Sequence, residues 1–433
     1  MSAREVLRMD GHLVDSLLLA KVLDAIVAAG ASYRILELDL GTTNLDQSHV
    51  RLEVEAAGEV ALERLLESLH VHGLNREDSA DAALEPADAD GVLPDGFYAT
   101  TNFVTAVRLG GHWLRAANPE MDCAIVVDTT TDPVSARTVP MHRVRRGDMV
   151  VVGWNGVRVE PPERPRARPD TESSADGGGH ESFGFMTSDV SSEKPKALVV
   201  ARVAASLEAA RSRRDQTGAG GAGLGSRVLV VAGPAVVHTG AAADLAWLVR
   251  EGFVSVLFAG NGFATHDIEA AVLGTSLGVS VDAGAPQEHG HANHLRVINS
   301  LRRLGSIRAA VEAGWLTSGV LYECIRAGVP VVLGGSVRDD GPLPDVITDT
   351  VRAADAMREQ VSGVSVALML ASTLHAIATG NLLPAGVETY CVDINQAVVT
   401  KLADRGSHQA FGIVTDVGLF VRELAVALGR RGH

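Results

Sequence analysis

From Arg227 onward the chain reads as unbroken apolar strands separated by helices, and this pattern constrains the fold more than any other feature. Arg227–Ala232 is a continuous apolar run followed by Gly233-Pro234 and a helix from Ala241. Phe253–Ala259 ends at Gly260-Asn261-Gly262 before a second helix. Val329–Leu333 runs into Gly334-Gly335-Ser336, Val387–Val392 ends at Asp393, and Phe411–Val414 ends at Thr415-Asp416. A strand that is apolar at every position must be covered on both faces, which βαβ units require. The C-terminal part is therefore α/β with a Rossmann-like parallel sheet. Its ligands belong beyond the carboxyl ends of the strands, where the small and polar residues fall.

Composition narrows the class. Of 433 residues, 46% are hydrophobic and only 4% aromatic, so Val, Leu, Ile and Ala must fill the cores. The formal charge of −15 argues against nucleic acid and anionic membranes as partners. An anionic cofactor stays compatible, because helix N-termini and single arginines hold phosphates locally. Cys123, Cys324 and Cys391 are too few for a disulfide framework, lack metal-type spacing and read as buried thiols. Charged residues interrupt Met1–Leu19, so no signal peptide is expected, and no uncharged apolar run reaches the ~18 residues of a span. A cytoplasmic protein is expected. Lysine occurs only at Lys21, Lys194, Lys196 and Lys401, which gives each some interest, since lysine, unlike arginine, can deprotonate when buried.

The spacing divides the chain into an α+β part over residues 1–165, a flexible linker over 166–182, and a junction segment with the nucleotide-binding domain over 183–433. In the first part, Val14–Ala29 and Val60–His70 have helical spacing, while Tyr33–Leu40 and Val50–Ala56 alternate as strands. Short strands at Phe103–Leu109, Ala124–Val127, Asp148–Val152 and Val157–Val159 predict a small β-rich unit. The linker lacks periodicity and large apolar residues. A second flexible stretch, Gln216–Gly225, is nearly all Gly and Ala.

Several motifs carry candidate chemistry. A literal G-x-G-x-x-G at Gly218, Gly220 and Gly223 precedes a strand instead of following one, so it reads as linker. The loop Gly233–Gly240 follows the first strand and opens a helix, either as a phosphate cradle or as an ordinary turn. Asp393 either accepts a ribose hydroxyl or caps a helix. His289, His291 and His294 fit no standard zinc spacing and read as a polar loop over the cofactor, so no metal is expected. Asp339–Asp345 puts carboxylates on a stiff turn. Thr100-Thr101-Asn102 and Pro119–Cys123 are polar runs beside strands, and Ser191–Pro195 holds Lys194 at the domain junction.

Together these strings resemble the archaeal-type, NAD-dependent ornithine cyclodeaminase family, whose front half is similar to a region shared with lysine-ketoglutarate reductase/saccharopine dehydrogenase. The resemblance runs from Gly11–Ser16 to Thr415–Gly418, and its most specific strings are Pro119–Cys123, Ser191–Pro195, Gly233–Gly240, Arg338–Asp345 and Asp393-Ile394-Asn395. Residues 168–182 read as an insertion. The resemblance implies a C-terminal fold like the NAD-binding domain of deoxyhypusine synthase, without the usual glycine fingerprint. It implies NAD contacts at Asn261, Gly262, Asp340, Ser372, Thr373, Leu374, His375, Asp393, Ile413 and Val414. Here Gly262 stands where alanine is expected, and Ser372–Leu374 is loosely matched; backbone contacts survive both changes.

The implied reaction is cyclodeamination of L-ornithine to L-proline and ammonia by an internal hydride shuttle, in proline biosynthesis and arginine/ornithine metabolism. Arg108 and Arg296 are candidates for the substrate carboxylate. Lys194 and Asp122 are candidates for moving protons. An amino-acid dehydrogenase with net NADH formation and a non-catalytic NAD- or amino-acid-binding regulator are the alternatives. A homo-oligomer acting on a small amino acid, with the first domain serving substrate and assembly, completes the expectation.

Overall fold

The computed structural model describes residues 2–11, 13, 18–41, 46, 48–70, 72–77, 80–160, 196–217, 225–276, 279–280, 293–339, 341–404 and 410–431. The linker 166–182, Lys194, the glycines 218–223, His289, His291 and Asp340 lie outside them. The chain forms two units. One holds the described residues up to Glu160 together with Leu383–Gly386, and the other holds the rest.

The first unit begins with β1 (Ala3–Gly11), α1 (Leu18–Ala28), β2 (Ser32–Asp39), β3 (Ser48–Ala56), α2 (Glu59–His70) and β4 (Asn75–Arg76). The strands form an antiparallel sheet in the order β2-β3-β1-β4. Strict alternation along β3 sends Val50, Leu52, Val54 and Ala56 inward. On α2, Leu62, Leu65, Leu66 and Leu69 recur at helical spacing and meet them, with Leu7, Met9, Val22 and Ile26, in one core. Each fully buried leucine contributes about 1.5–3 kcal/mol of transfer free energy. The sequence does not announce β1: alternating Arg4, Glu5, Arg8 and Asp10 mask its inward Leu7 and Met9. β2 is an edge strand, and every residue along it is exposed, Tyr33, Ile35, Leu36 and Leu38 included.

The expected β-rich part of this unit follows. It comprises β5 (Ala83–Pro86), β6 (Val104–Leu109), β7 (His112–Ala117), β8 (Ala124–Asp128), β9 (Ser135–Val139), β10 (Met149–Val152) and β11 (Val157–Glu160). The order is β11-β6-β7-β9-β8-β10-β5, antiparallel apart from the β7–β9 pair. β8 is buried on both faces: Ile125 and Val127 join one core, Ala124 and Val126 another.

The second unit carries the parallel sheet. Its elements are α3 (Lys196–Thr217), β12 (Arg227–Ala232), α4 (Ala235–His238), α5 (Ala242–Arg250), β13 (Val256–Gly260), α6 (Asn261–Leu273), β14 (Thr275–Ser276), β15 (Val279–Ser280), α7 (Asn293–Leu304), α8 (Ile307–Glu312), α9 (Val320–Ala327), β16 (Val331–Gly334), β17 (Val346–Ile347), α10 (Thr350–Val361), β18 (Val364–Leu370), α11 (Leu374–Leu382), β19 (Glu388–Asp393), α12 (Gln396–Asp404), β20 (Ala410–Val414) and α13 (Val417–Ala427). The seven long-range strands run parallel in the order β17-β16-β13-β12-β18-β19-β20. The five expected strands are all present, within three residues at their starts. Two expectations change. Gln216 and Thr217 are the last residues of α3, not the start of a flexible stretch, and Asn261-Gly262 opens α6 instead of forming a turn before it.

A buried carboxylate fixes α6 in place. Asp267 is sealed from solvent and accepts the backbone N–H groups of Val320 and Leu321, both at 2.9 Å, capping α9 from the side. Burial pushes its carboxyl up to about 6, against the pull of those two N–H groups. Cys123, Cys324 and Cys391 are buried free thiols, as expected. Among the described residues, no helix is long and apolar enough to cross a membrane.

His70 gives the first unit a pH dependence. It is 1% exposed, packs at 5.7 Å edge-on to Tyr98 and 5.6 Å from the Trp154 ring, and neither ring nitrogen has a partner among the described residues. Burial pushes its imidazole down from 6.5 to about 4. The folded state therefore binds fewer protons than the unfolded state between those values. The associated stability is fully present above 6.5 and is lost as pH falls through about 4. The loss should total about 3 kcal/mol, because each tenfold change in proton affinity is worth about 1.4 kcal/mol. Denaturant titrations of the native protein and His70→Leu at neutral pH and near pH 4 should show a smaller acid loss in the variant. An identical loss would remove His70 as its source.

Candidate functional site

Strand order in the parallel sheet reverses between β12 and β18, because the chain proceeds outward from β12 through β13, β16 and β17 and then returns to its other side. The loops leaving these two strands diverge, so a crevice opens beyond their carboxyl ends. Backbone forms its floor. Gly233 donates to the Leu370 carbonyl at 2.8 Å, and a Cβ there would collide with the Ala371 carbonyl oxygen. Ala371 itself is held at φ 46°, a left-handed conformation that alanine rarely adopts and that surrounding structure must enforce. Its N–H donates to the Val392 carbonyl at 2.9 Å.

The side chains around this floor come from the ends of successive strands. Asn261, 5% exposed, opens α6, and its Oδ1 accepts the Leu343 N–H at 3.0 Å. Its oxygen thus fastens the loop after β16, leaving the Nδ2 group for a ligand. Gly260 supplies no side-chain cap to α6, so the first-turn N–H groups around Gly262 face the strand ends as anion donors. His375 packs on Gly334, where a Cβ would lie 2.9 Å from its Nε2. Burial lowers its pKa, opposed by Asp339. Ser372 is half-buried, while Thr373 and Leu374 are exposed. Ile413 is buried and Val414 half-buried on β20.

Asp393 is nearly buried. Its Oδ1 accepts the Asn395 N–H at 2.8 Å, and its Oδ2 has no partner among the described residues. Asn395, not Asp393, closes the first turn of α12, accepting the Ala397 N–H at 3.0 Å. Beside it, the hydroxyl of Thr415 is buried without a partner among the described residues. An orphaned buried hydroxyl and a half-used buried carboxylate at adjacent strand ends fit a polyhydroxyl ligand, because each costs free energy until paired. Uncapped helix N–H groups and close-packed backbone fit a pyrophosphate. The residues present therefore suit a dinucleotide. Sequence reasoning missed Thr415 as a ligand group, although a hydroxyl immediately after an apolar strand was a legible signal.

The candidates for chemistry fall on different elements. Asp122 lies in the first unit at φ 61°, exposed and without a side-chain partner among the described residues. Its N–H donates to Thr100, whose hydroxyl donates to the Glu120 carbonyl at 2.6 Å, so the two polar runs Thr100–Asn102 and Pro119–Cys123 are stitched together. Arg108, on the β6–β7 hairpin, is taken by Asp81 at 3.0 Å and is no longer a candidate for the substrate carboxylate. Arg296, on α7, is exposed and spends one N–H on Asn293 Oδ1 at 3.2 Å. Of the carboxylates after β16, Asp339 closes a turn by accepting the Ser336 N–H at 2.8 Å, and Asp345 accepts the Ile307 N–H at the start of α8 at 2.8 Å.

Comparison with known proteins accounts for nearly the whole chain. Residues 4–103 match the LOR/SDH bifunctional enzyme conserved region. Residues 104–200 match the first region, and residues 201–424 the Rossmann fold, of the C-terminal part of ArgZ-like arginine dihydrolases. An ornithine cyclodeaminase of Methanopyrus kandleri is 48% identical over 428 residues, covering 98% of this chain and 97% of that one. The crystal structure of apo ArgZ, an arginine dihydrolase from the ornithine–ammonia cycle in cyanobacteria, superimposes with a TM-score of 0.79 at 38% identity, covering 99% of this chain and 58% of that chain. A structure of AgrE in ternary complex with ornithine and NAD+ superimposes with a TM-score of 0.50 at 40% identity, covering 99% of this chain and 57% of that chain. Identity near one half along almost the full length of both partners places the chain: it belongs to the archaeal-type ornithine cyclodeaminase family.

Proposed function

We propose that this enzyme converts L-ornithine to L-proline and ammonia with NAD as a resident cofactor. The observation that carries the reading is the dinucleotide-compatible crevice at the switch point, in a chain similar along its length to a protein crystallised with ornithine and NAD+. The first-turn N–H groups of α6 at Asn261 and Gly262 hold the pyrophosphate, and Asp393 and Thr415 take ribose hydroxyls. Ser372, Thr373, Leu374 and His375 at the start of α11, with Ile413 and Val414, line the remaining wall, and Asp340 is assigned by resemblance alone.

Bound NAD supplies a hydride acceptor that also returns what it takes, so that Cα can pass through an imine with no net oxidation. The ornithine cation equals proline plus ammonium, atom for atom and charge for charge. The protein must hold the α-carboxylate, for which Arg296 keeps free N–H donors. It must also free the δ-amine of a proton and protonate the departing nitrogen. Asp122, with its exposed carboxylate, and Lys194 are the sequence-based candidates for those transfers. The apolar residues exposed along the β2 edge support a homo-oligomer.

Three outcomes follow. Asp393→Ala and Thr415→Val should each weaken NAD binding by about 1–3 kcal/mol in calorimetry, the worth of a hydrogen bond to a buried group; unchanged affinity would take that residue out of the site. Ornithine deuterated at Cα should yield proline that keeps the label, with ammonia equal to proline and no NADH in proportion. Label lost to water would sink the shuttle, and stoichiometric NADH would favour a dehydrogenase. Sedimentation should show an oligomer that Ile35→Arg shifts towards monomer. A native monomer would end that part of the reading.

A further inference from the structure

A line of polar side chains runs from the interior of the second unit towards its surface along α4 and α6, the helices that leave the carboxyl ends of β12 and β13, and no cofactor contact is assigned to it. At its buried end is Glu269, whose side chain is 0% exposed. One carboxylate oxygen meets His266 Nδ1 at 2.9 Å, and the other accepts the Thr275 hydroxyl at 2.8 Å. The Asn293 amide donates to Thr275 Oγ1 at 2.9 Å, and Arg296 donates to Asn293 Oδ1 at 3.2 Å. On the other side, the His266 ring lies 4.9 Å from that of His238, edge to face, and His238 Nδ1 meets the Ser276 hydroxyl at 2.7 Å. All these residues sit on α4, α6, β14 and α7.

Two comparisons within the molecule set Glu269 apart. Asp267, two residues earlier on the same helix, spends both oxygens on backbone N–H groups of α9 and is a fastening. The histidine–carboxylate pair His49–Asp10 is solvated, at 23% and 48% side-chain exposure, so its attraction is screened. His266 with Glu269 is desolvated, at 12% and 0%, and is the one buried pair of this kind among the described residues. Taking a carboxylate out of water is expensive, and a packing role could be met by a neutral side chain. Facing an imidazole, the carboxylate instead fixes the tautomer with Nδ1–H donating and Nε2 left as the basic nitrogen. Nε2 has no partner among the described residues, and it is not sealed from solvent.

We infer that His266, in place of Asp122 and Lys194, moves protons between the two nitrogens of the substrate in the cyclodeamination, that Glu269 is its positioning residue, and that Thr275 and Asn293 tie the substrate-carboxylate anchor Arg296 to the same buried group. This rests on the ornithine reading above. The chemistry balances within the substrate. Nε2 takes a proton from the δ-ammonium, and the released electron pair forms the δN–Cα bond. The same proton then goes to the α-nitrogen, which departs as ammonia with the electrons of the broken Cα–N bond, while the nitrogen of the new ring gives its second proton to the emptied Nε2 and uses the freed pair to form the cyclic C=N bond. Nε2 passes this proton to the released ammonia as ammonium. The imidazole ends as it began. His238 and Ser276 link the ring towards solvent.

The test uses the full-length protein with NAD and ornithine. If the native enzyme forms no proline, the ornithine reading falls and this role falls with it. If it does, His266→Ala should lower kcat by about 100-fold or more, the usual worth of a general acid–base group. NAD affinity should stay near native, while the melting temperature falls because Glu269 is left buried without its imidazole. Added imidazole should restore part of the lost rate in proportion to its unprotonated fraction as pH is varied, which a recovery of stability alone would not do. Glu269→Gln should lower kcat far more than it raises KM, with no response to imidazole. Should that variant fail to fold, Thr275→Val removes one bond to the same carboxylate and cuts its tie to Asn293 and Arg296, and KM for ornithine should rise. A folded, NAD-binding His266→Ala enzyme with kcat within about threefold of native would overturn the assignment. So would a loss that follows the melting temperature and ignores imidazole.

Discussion

The parallel pairing of β12 with β18 is the interaction on which the second unit depends. It places Gly233 and Ala371 side by side, so closely that neither a side chain at the first nor a relaxed conformation at the second is allowed. Every other ligand-facing group takes its position from that contact, because β13 and β16 extend the sheet on one side and β19 and β20 on the other. Parallel strands give all their carboxyl ends to one edge of the sheet. Residues more than a hundred positions apart, Asn261 and Asp393 among them, therefore face the same edge without any local sequence link.

Helix α6 works in both directions. Its first turn faces the strand ends with uncapped N–H groups, its middle is clamped to α9 through Asp267, and Glu269 turns the opposite way, towards α4 and α7. Two buried carboxylates on one helix differ in role because of what receives them. Backbone N–H groups of a neighbouring helix make Asp267 a structural cap. An imidazole and a hydroxyl make Glu269 a group whose charge is passed to a side chain able to take and give protons. The rigid cap also limits how far α6 can shift, and a proton-transfer geometry needs such a limit.

The alternation of apolar runs and helices makes the fold class legible, and β3, β8, β12 and β20 stand close to where their periodicity puts them. Three elements escape that pattern. Val364–Leu370 is the central strand β18, yet its Ala, Leu and Met between two helical segments cannot be told from buried helix by periodicity alone. The charges along β1 hide the alternation that turns Leu7 and Met9 inward. The helix α3 follows a polar junction and runs into a Gly/Ala stretch that masks its end. At the site, Asp393 and Asn261 are legible because they end or follow apolar strands. The Asn261 oxygen is engaged with Leu343, which no local pattern announces.

What the sequence by itself determined is the class of structure, the edge of the sheet at which a ligand must bind, and the family to which the strings belong. These follow from periodicity and from short contiguous motifs, which are local properties of the chain. Only the tertiary structure decided how the candidate groups are used. Arg108 is neutralised by Asp81, Arg296 is tethered through Asn293, Thr415 is left buried and unpaired among the described residues, and His266 is paired with a carboxylate that no solvent reaches. Burial and hydrogen-bond partnership arise from segments distant in sequence, and they set the cost of a charge and the availability of a proton.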